Sequence, residues 1–168
     1  MRTCSTTIPR LLITGAVAVA ACVSLSACGS SDAPVELAFV ASFTERTLID
    51  GGVDGDSPGD YIPGSGELLN EKGEVIGEFN VVSFATAITE AGQGRVMLSE
   101  YAFDGGVDSI VIAGAGRSPA GDEPLRDRTY TYPIVGGTGS YAGARGECNV
   151  TRMGEAYEVK CRFSVMPG

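Results

Sequence analysis

From Val35 onward the chain reads as short apolar runs, each stopped by glycine, aspartate, asparagine or proline. That rhythm predicts strands joined by tight turns. Val35–Phe43 is a first strand and Tyr61–Leu69 a second, loosened at its start by Pro63, Gly64 and Gly66. Asn70-Glu71-Lys72-Gly73 is a polar hairpin turn leading into a third strand, Glu74–Thr86. Thr89–Gly94 reads as a loop, Arg95–Phe103 as a fourth strand and Asp104-Gly105-Gly106 as a tight turn. Val107–Ala113 is a fifth strand, followed by a loop over Gly114–Asp127 that contains Pro119 and Pro124. Arg128–Val135 is a sixth, in which Pro133 marks an edge, a bulge or a strand end because proline donates no ladder hydrogen bond.

The last two strands can be placed in register. A two-residue turn at Gly154-Glu155, with glycine in the first place of a type II′ turn, sets Met153 opposite Ala156 and Val150 opposite Val159. Cys148 then lies opposite Cys161, on the face that also carries Val150, Val159 and Phe163. Asn149, Thr151, Glu158 and Lys160 fall on the other face. A Cys148–Cys161 disulfide is expected; it would close a loop of roughly 14 residues and contribute about 3 kcal/mol. The competing reading is a pair of reduced or reactive thiols.

The count is about eight short strands, and no segment has the length and periodicity of a covering helix. A sheet without helical cover closes on itself or packs on a second sheet. The expected fold is all-β, an eight-stranded antiparallel barrel wide enough for side chains or one small ligand. A helical N-terminal signal segment is expected to precede it.

Composition narrows the chemistry. The 168 residues suffice for one domain, and 43% hydrophobic content with 24 glycines fits a turn-rich globular chain. There is no histidine. Serine–histidine and cysteine–histidine nucleophile systems are therefore excluded, as is histidine ligation of zinc. No metal site and no cofactor are expected. Asp50–Asp60 is rich in aspartate and glycine, but its twelfth-position residue is Tyr61 where a calcium loop needs a bidentate glutamate. It is expected to be a solvated acidic loop.

Residues 1–27 have the form of an export signal. A basic start through Arg10 precedes an apolar stretch, Leu11–Val23, too short to span a bilayer comfortably. Leu25-Ser26-Ala27-Cys28 resembles the bacterial lipobox, which implies cleavage before Cys28 and lipidation of its sulfur. The alternative is an ordinary secretory signal. Acyl chains on Cys28 would hold the protein at a membrane, each buried methylene adding about 0.8 kcal/mol. Residues 28–34 form a polar tether and 35–168 the barrel domain. Cys4 and Cys22 leave with the leader, so Cys28, Cys148 and Cys161 are the mature cysteines. Loss of Arg2 and Arg10 leaves ten basic against 21 acidic residues, moving the net charge from −9 to −11. Such a chain repels nucleic acid, and nucleic acid is excluded as a partner.

Gly136-Gly137-Thr138-Gly139-Ser140-Tyr141-Ala142-Gly143-Ala144-Arg145-Gly146 resembles the GGTG-x-[FY]-x-x-ARG signature of the allene oxide cyclase-like and dirigent-like barrel superfamily, in particular its bacterial exported members. Pro58–Pro63 resembles the segment before that family's second strand, and Leu68–Gly77 its first hairpin. The resemblance covers residues 35–165. It implies an eight-stranded antiparallel barrel with a central cavity, trimeric in many plant members. The glycines also serve as a barrel corner, through positive φ or a bulge. The alternative is a phosphate-cradling loop, but neither the Lys-Ser/Thr pair of a P-loop nor a helix-start pattern follows.

The family's catalytic pair does not carry over. Ala41 or a neighbour stands where plant cyclases have a glutamate, and Asn80 stands where they have a cysteine. Candidate ligand-binding residues are Arg145, which matches the arginine of the family signature, together with Tyr141 and Asn80. An inward Arg145 would hold a ligand oxygen or form a structural ion pair with a carboxylate such as Glu147. The expected function is an envelope-anchored barrel that binds a small apolar ligand or an envelope partner. The alternative is a cyclase or isomerase that shapes a reactive unsaturated substrate.

Overall fold

A computed structural model describes residues 33–118 and 127–166. The leader, Cys28 and most of the tether lie outside the described residues. Eight strands follow one another: β1 Val35–Arg46, β2 Tyr61–Leu69, β3 Val75–Thr89, β4 Gly92–Phe103, β5 Asp108–Ser118, β6 Thr129–Thr138, β7 Ala144–Met153 and β8 Ala156–Val165. Each pairs antiparallel with the next, and β8 pairs with β1, which closes the barrel. Short 3₁₀ turns at Asp104–Gly106 and Gly139–Tyr141 carry the chain from β4 to β5 and from β6 to β7.

The two-residue period of a strand divides inside from outside. In β1, Phe39 and Ala41 are buried while Glu36 and Ala38 between them and the strand start are exposed. In β7, Ala144, Cys148, Val150 and Arg152 are buried while Arg145, Glu147 and Asn149 are exposed. The β7–β8 register is the expected one: Met153 faces Ala156, Val150 faces Val159, and Cys148 faces Cys161. The two cysteines form a disulfide on the inner face. Gly154 has φ +71° at the first position of the turn, as a type II′ turn requires.

Filling is unequal along the barrel axis. The end bounded by the β2–β3, β4–β5 and β6–β7 connections is packed solid with Phe39, Leu68, Tyr101, Phe103, Ile110, Ile112, Phe163 and the disulfide. Edge-to-face ring contacts run through it, Phe39 to Tyr101 at 5.0 Å, Phe103 to Tyr141 at 5.9 Å and Tyr141 to Phe163 at 5.6 Å. Among the described residues, the opposite end is left open.

Three elements differ from the sequence expectation. β3 and β4 run on through the segment expected to be a loop, leaving only Glu90 and Ala91 as the turn. The ladder absorbs the mismatch in a bulge between Ala85 and Ala87, and Gly92 takes φ +118°. β5 continues to Ser118 through Gly114 and Gly116, where loop was expected. Those two glycines lie beneath the rings of the next strand: a Cβ on Gly114 would stand 2.7 Å from Tyr132 Cδ1, and one on Gly116 3.9 Å from Tyr130 Cδ1. They are omitted side chains, not chain breaks. Finally, the Asp50–Asp60 segment is not uniformly solvated, because Ser57 and Asp60 are buried.

The β5–β6 ladder is incomplete. It runs from Ser109/Thr138 to Ile112/Ile134, with a bulge between Val111 and Ile112 that leaves Val135 as the extra residue on β6, and stops there although β5 continues to Ser118. Pro133, which has no N–H to give, sits one residue beyond the last pair. Of the edge, bulge or strand end expected at Pro133, the structure shows an edge toward β5 only: Pro133 still pairs with Glu147 of β7, and the β5 side is a seam in the wall.

Candidate functional site

The open half of the barrel encloses a cavity of about 110 Å³. Its floor is Phe79 and Tyr101, and its walls include Phe43, Val81, Met97, Tyr130, Tyr132, Val150 and Tyr157. Phe43 meets Phe79 edge-on at 5.0 Å and Tyr157 at 5.8 Å, and Tyr130 stacks beside Tyr132 at 6.5 Å. Four arginines also line it, Arg46, Arg95, Arg117 and Arg152, and no acidic side chain does so among the described residues.

Arg95 is the most constrained of these. It is only 6% exposed, on the inward face of β4. Its Nε donates to Ser83 Oγ at 3.0 Å, Nη2 to the Ser83 carbonyl at 3.0 Å, and Nη1 to Gln93 Oε1 at 2.7 Å. Gln93, 2% exposed, in turn donates through Nε2 to Asp56 Oδ2 at 3.0 Å. This ties the guanidinium to the β1–β2 loop. The loop is itself pinned by Asp60, whose carboxylate accepts from the Ser57 amide at 2.8 Å, the Gly51 amide at 3.1 Å and Ser57 Oγ at 3.0 Å. These amides, Ser57 first and then Gly51, hold the Asp60 carboxyl below its ordinary range, and the positive field of Arg95 adds to the effect.

Tyr101 and Tyr132 remain neutral. Burial pushes Tyr132 up to about 12, with Tyr130 and Tyr157 adding to the shift. Burial raises Tyr101 further still. The Tyr130 hydroxyl oxygen is buried and has no hydrogen-bond partner among the described residues. Leaving such a group unmet costs about 1–3 kcal/mol. The cavity therefore brings a fixed guanidinium, phenol hydroxyls and apolar walls together.

None of the three ligand-binding residues expected from the sequence lines this cavity. Arg145 is exposed, and its Nη1 donates to the Ala144 carbonyl at 2.7 Å. Asn80 is exposed on β3. Tyr141 is part of the aromatic packing at the closed end; burial raises its phenol, and the charge of Asp108 acts in the same direction. The cavity arginines and Tyr130 escaped sequence reasoning. The available signal was parity: Gln93, Arg95, Met97, Ser99 and Tyr101 alternate along β4 and so share a face.

No protein-family model and no curated protein sequence matches the chain. Solved structures do. A pyocyanin demethylase superposes with a TM-score of 0.63 at 21% identity, spanning 77% of this chain and 100% of the other. A pterocarpan synthase dirigent protein gives 0.58 at 15% identity, spanning 85% and 96%. The Diels Alderase AbmU from Streptomyces koyangensis gives 0.62 at 16% identity, spanning 82% and 72%. The fold is that of the dirigent and cyclase barrels. In this dirigent-type barrel the packed end and the open end follow from where the chain places its aromatic and glycine residues.

Proposed function

We propose that this protein is an exported barrel, held at the bacterial cell envelope by acyl chains on Cys28, that binds a small ring-bearing molecule in its open half. The observation that supports the binding reading is the cavity itself. Its size is close to that of an apolar cavity of about 150 Å³ that takes up benzene, and its walls are aromatic and aliphatic. One ring fits against Met97, Tyr101 and Tyr132, with substituents extending toward the mouth. Toluene titration followed by methyl NMR tests this directly. The Met97 methyl signal is expected to shift saturably while those of the exposed Met153 and Met166 stay fixed. An unmoved Met97 signal up to the solubility of toluene overturns the reading.

The anchor rests on the Leu25-Ser26-Ala27-Cys28 pattern. Intact mass measurement of protein extracted from membranes is expected to show chain 28–168 with added acyl mass. A Cys28→Ser variant is expected to lose both the acyl mass and the membrane association.

A second reading is that the barrel shapes a reactive unsaturated substrate toward cyclisation. The fixed Arg95 fork and the neutral tyrosine hydroxyls favour it, since preorganised donors on an apolar wall are what such a step needs. The structural neighbours named as a Diels Alderase and a pterocarpan synthase point the same way. A bound polyene that is released unchanged would count against it.

A further inference from the structure

Building on the ring-binding reading, we propose that the natural ligand is an uncharged molecule in two parts, an aromatic ring held in the inner cavity and a bulkier hydroxyl-bearing substituent held in a vestibule at the mouth.

A second space of about 410 Å³ adjoins the ring cavity of about 110 Å³. Phe43, Arg46, Ile62, Arg152 and Tyr157 line both, so the two are continuous. Leu48 and Glu155 line the outer one alone. The inner space is near the size that takes up benzene. The outer one falls in the range of roughly 300–1,000 Å³ that holds whole small molecules. A bare ring would use only the smaller of two joined spaces.

Local structure shapes the junction between them. A bulge between Phe43 and Glu45 breaks the alternation of β1, so Phe43 and Arg46 both reach the cavity although they stand three residues apart. Tyr157 meets Phe43 edge-on at 5.8 Å, and the pair belongs to both spaces. Across the ladder from Tyr157 stands Arg152, whose Nε donates to the Gly154 carbonyl at 2.9 Å. The turn that follows brings Glu155 to the rim.

The vestibule has two kinds of wall among the described residues. Phe43, Leu48 and Ile62 are apolar, and Arg46, Arg152 and Glu155 are charged. None of those three charges is free, since each is already engaged within the fold. A charged substituent would compete with these standing interactions. A hydroxyl need not, because a guanidinium or a carboxylate has more hydrogen-bonding positions than one partner fills. A saturated ring bearing hydroxyls has an apolar C–H face and a polar rim, which matches both walls. Aryl glycosides are the chemical class with this shape.

The test uses the full chain in a detergent without a sugar headgroup, with toluene, phenol, phenyl β-glucoside and methyl β-glucoside as probes. Binding is read by titration calorimetry and by methyl NMR, in which Met97 reports the inner cavity and Leu48 the vestibule. Phenyl glucoside is expected to shift the methyl signals of both residues and to bind at least about tenfold tighter than phenol or methyl glucoside. Toluene is expected to shift Met97 and leave Leu48 fixed. Phenyl glucoside that falls short of that margin over phenol, moves Met97 without Leu48, or moves Leu48 no more than toluene does overturns the two-part ligand and leaves the ring-binding reading intact. Methyl glucoside binding within the same margin overturns it as well, because the ring then contributes too little. A Met97 signal that toluene leaves unmoved overturns the ring-binding reading and the two-part ligand with it. All probes act on the unaltered chain, so no misfolded variant can shelter the idea.

Discussion

At the scale of single residues, Asp60 shows how a buried carboxylate holds the cavity edge in place. Its three hydrogen bonds exist in the folded chain only, so its folded-state acidity exceeds that of the unfolded chain. The stabilisation is fully present above the unfolded value of about 4 and is lost as pH falls through the lower folded value. Asp60→Asn is therefore expected to lower the thermal midpoint at neutral pH. The wild-type and variant midpoints should converge in acid, once the Asp60 carboxyl is protonated in the folded chain as well. Parallel midpoint curves across that range would show that the bonds of Asp60 are not what holds the loop. Residue roles were the least legible part of the sequence. The parity that puts Cys148 and Val150 inside puts Arg145 outside, so its orientation was readable in principle. The role of Asp60 was not, because it depends on the β1–β2 loop folding back to present the amide of Gly51, nine positions earlier.

At the scale of strands, β4 explains why periodicity marked the strand but not its working face. One face carries Gln93, Arg95, Met97, Ser99 and Tyr101, the other Val96 and Leu98. Hydrophobicity alone assigns the second set to the core, yet Val96 and Leu98 are 43% and 47% exposed and Arg95 is buried. The outer wall continues onto β3, where Phe84 is exposed and stacks on Tyr61 at 5.7 Å. A barrel whose interior is half cavity can place polar groups inward, and simple alternation then points the wrong way. The hairpin β7–β8 was fully legible because a two-residue turn fixes every pair that follows. Reducing its disulfide is expected to lower unfolding stability by about 3 kcal/mol, measured by denaturant titration with and without reductant. On β5, glycine makes the space that the next strand fills. Gly114→Ala brings a methyl against the Tyr132 ring. Overpacking costs about 1–3 kcal/mol, and the stiffer unfolded chain returns about 0.4–1 kcal/mol. The expected result is a modest net loss in stability with a larger loss of toluene response at Met97, as the displaced ring takes the space of the ligand.

At the scale of the whole molecule, the fold divides into an end that supplies stability and an end that supplies space. The sequence announced the first through its Gly136–Gly146 corner and its closing hairpin. It concealed the second, because a cavity is made by residues that are absent or turned aside: Gly114, Gly116 and the end of β5 that pairs with β4 but not with β6. That seam has a consequence for the way the barrel breathes. β4 pairs with β5 as far as Ser118, whereas β6 stops at Ile112. Successive amides of a strand point to opposite neighbours. From Ala113 to Ser118, the amides directed at β4 are therefore held, and those directed at β6 have no ladder acceptor there. Hydrogen–deuterium exchange read residue by residue by NMR is expected to alternate, slow then fast, along this segment, and to be uniformly slow from Ser109 to Ile112. Uniform protection to Ser118 would mean that the seam closes in solution. An alternating pattern would identify a line along which the wall can part to admit a solute without unfolding the packed end.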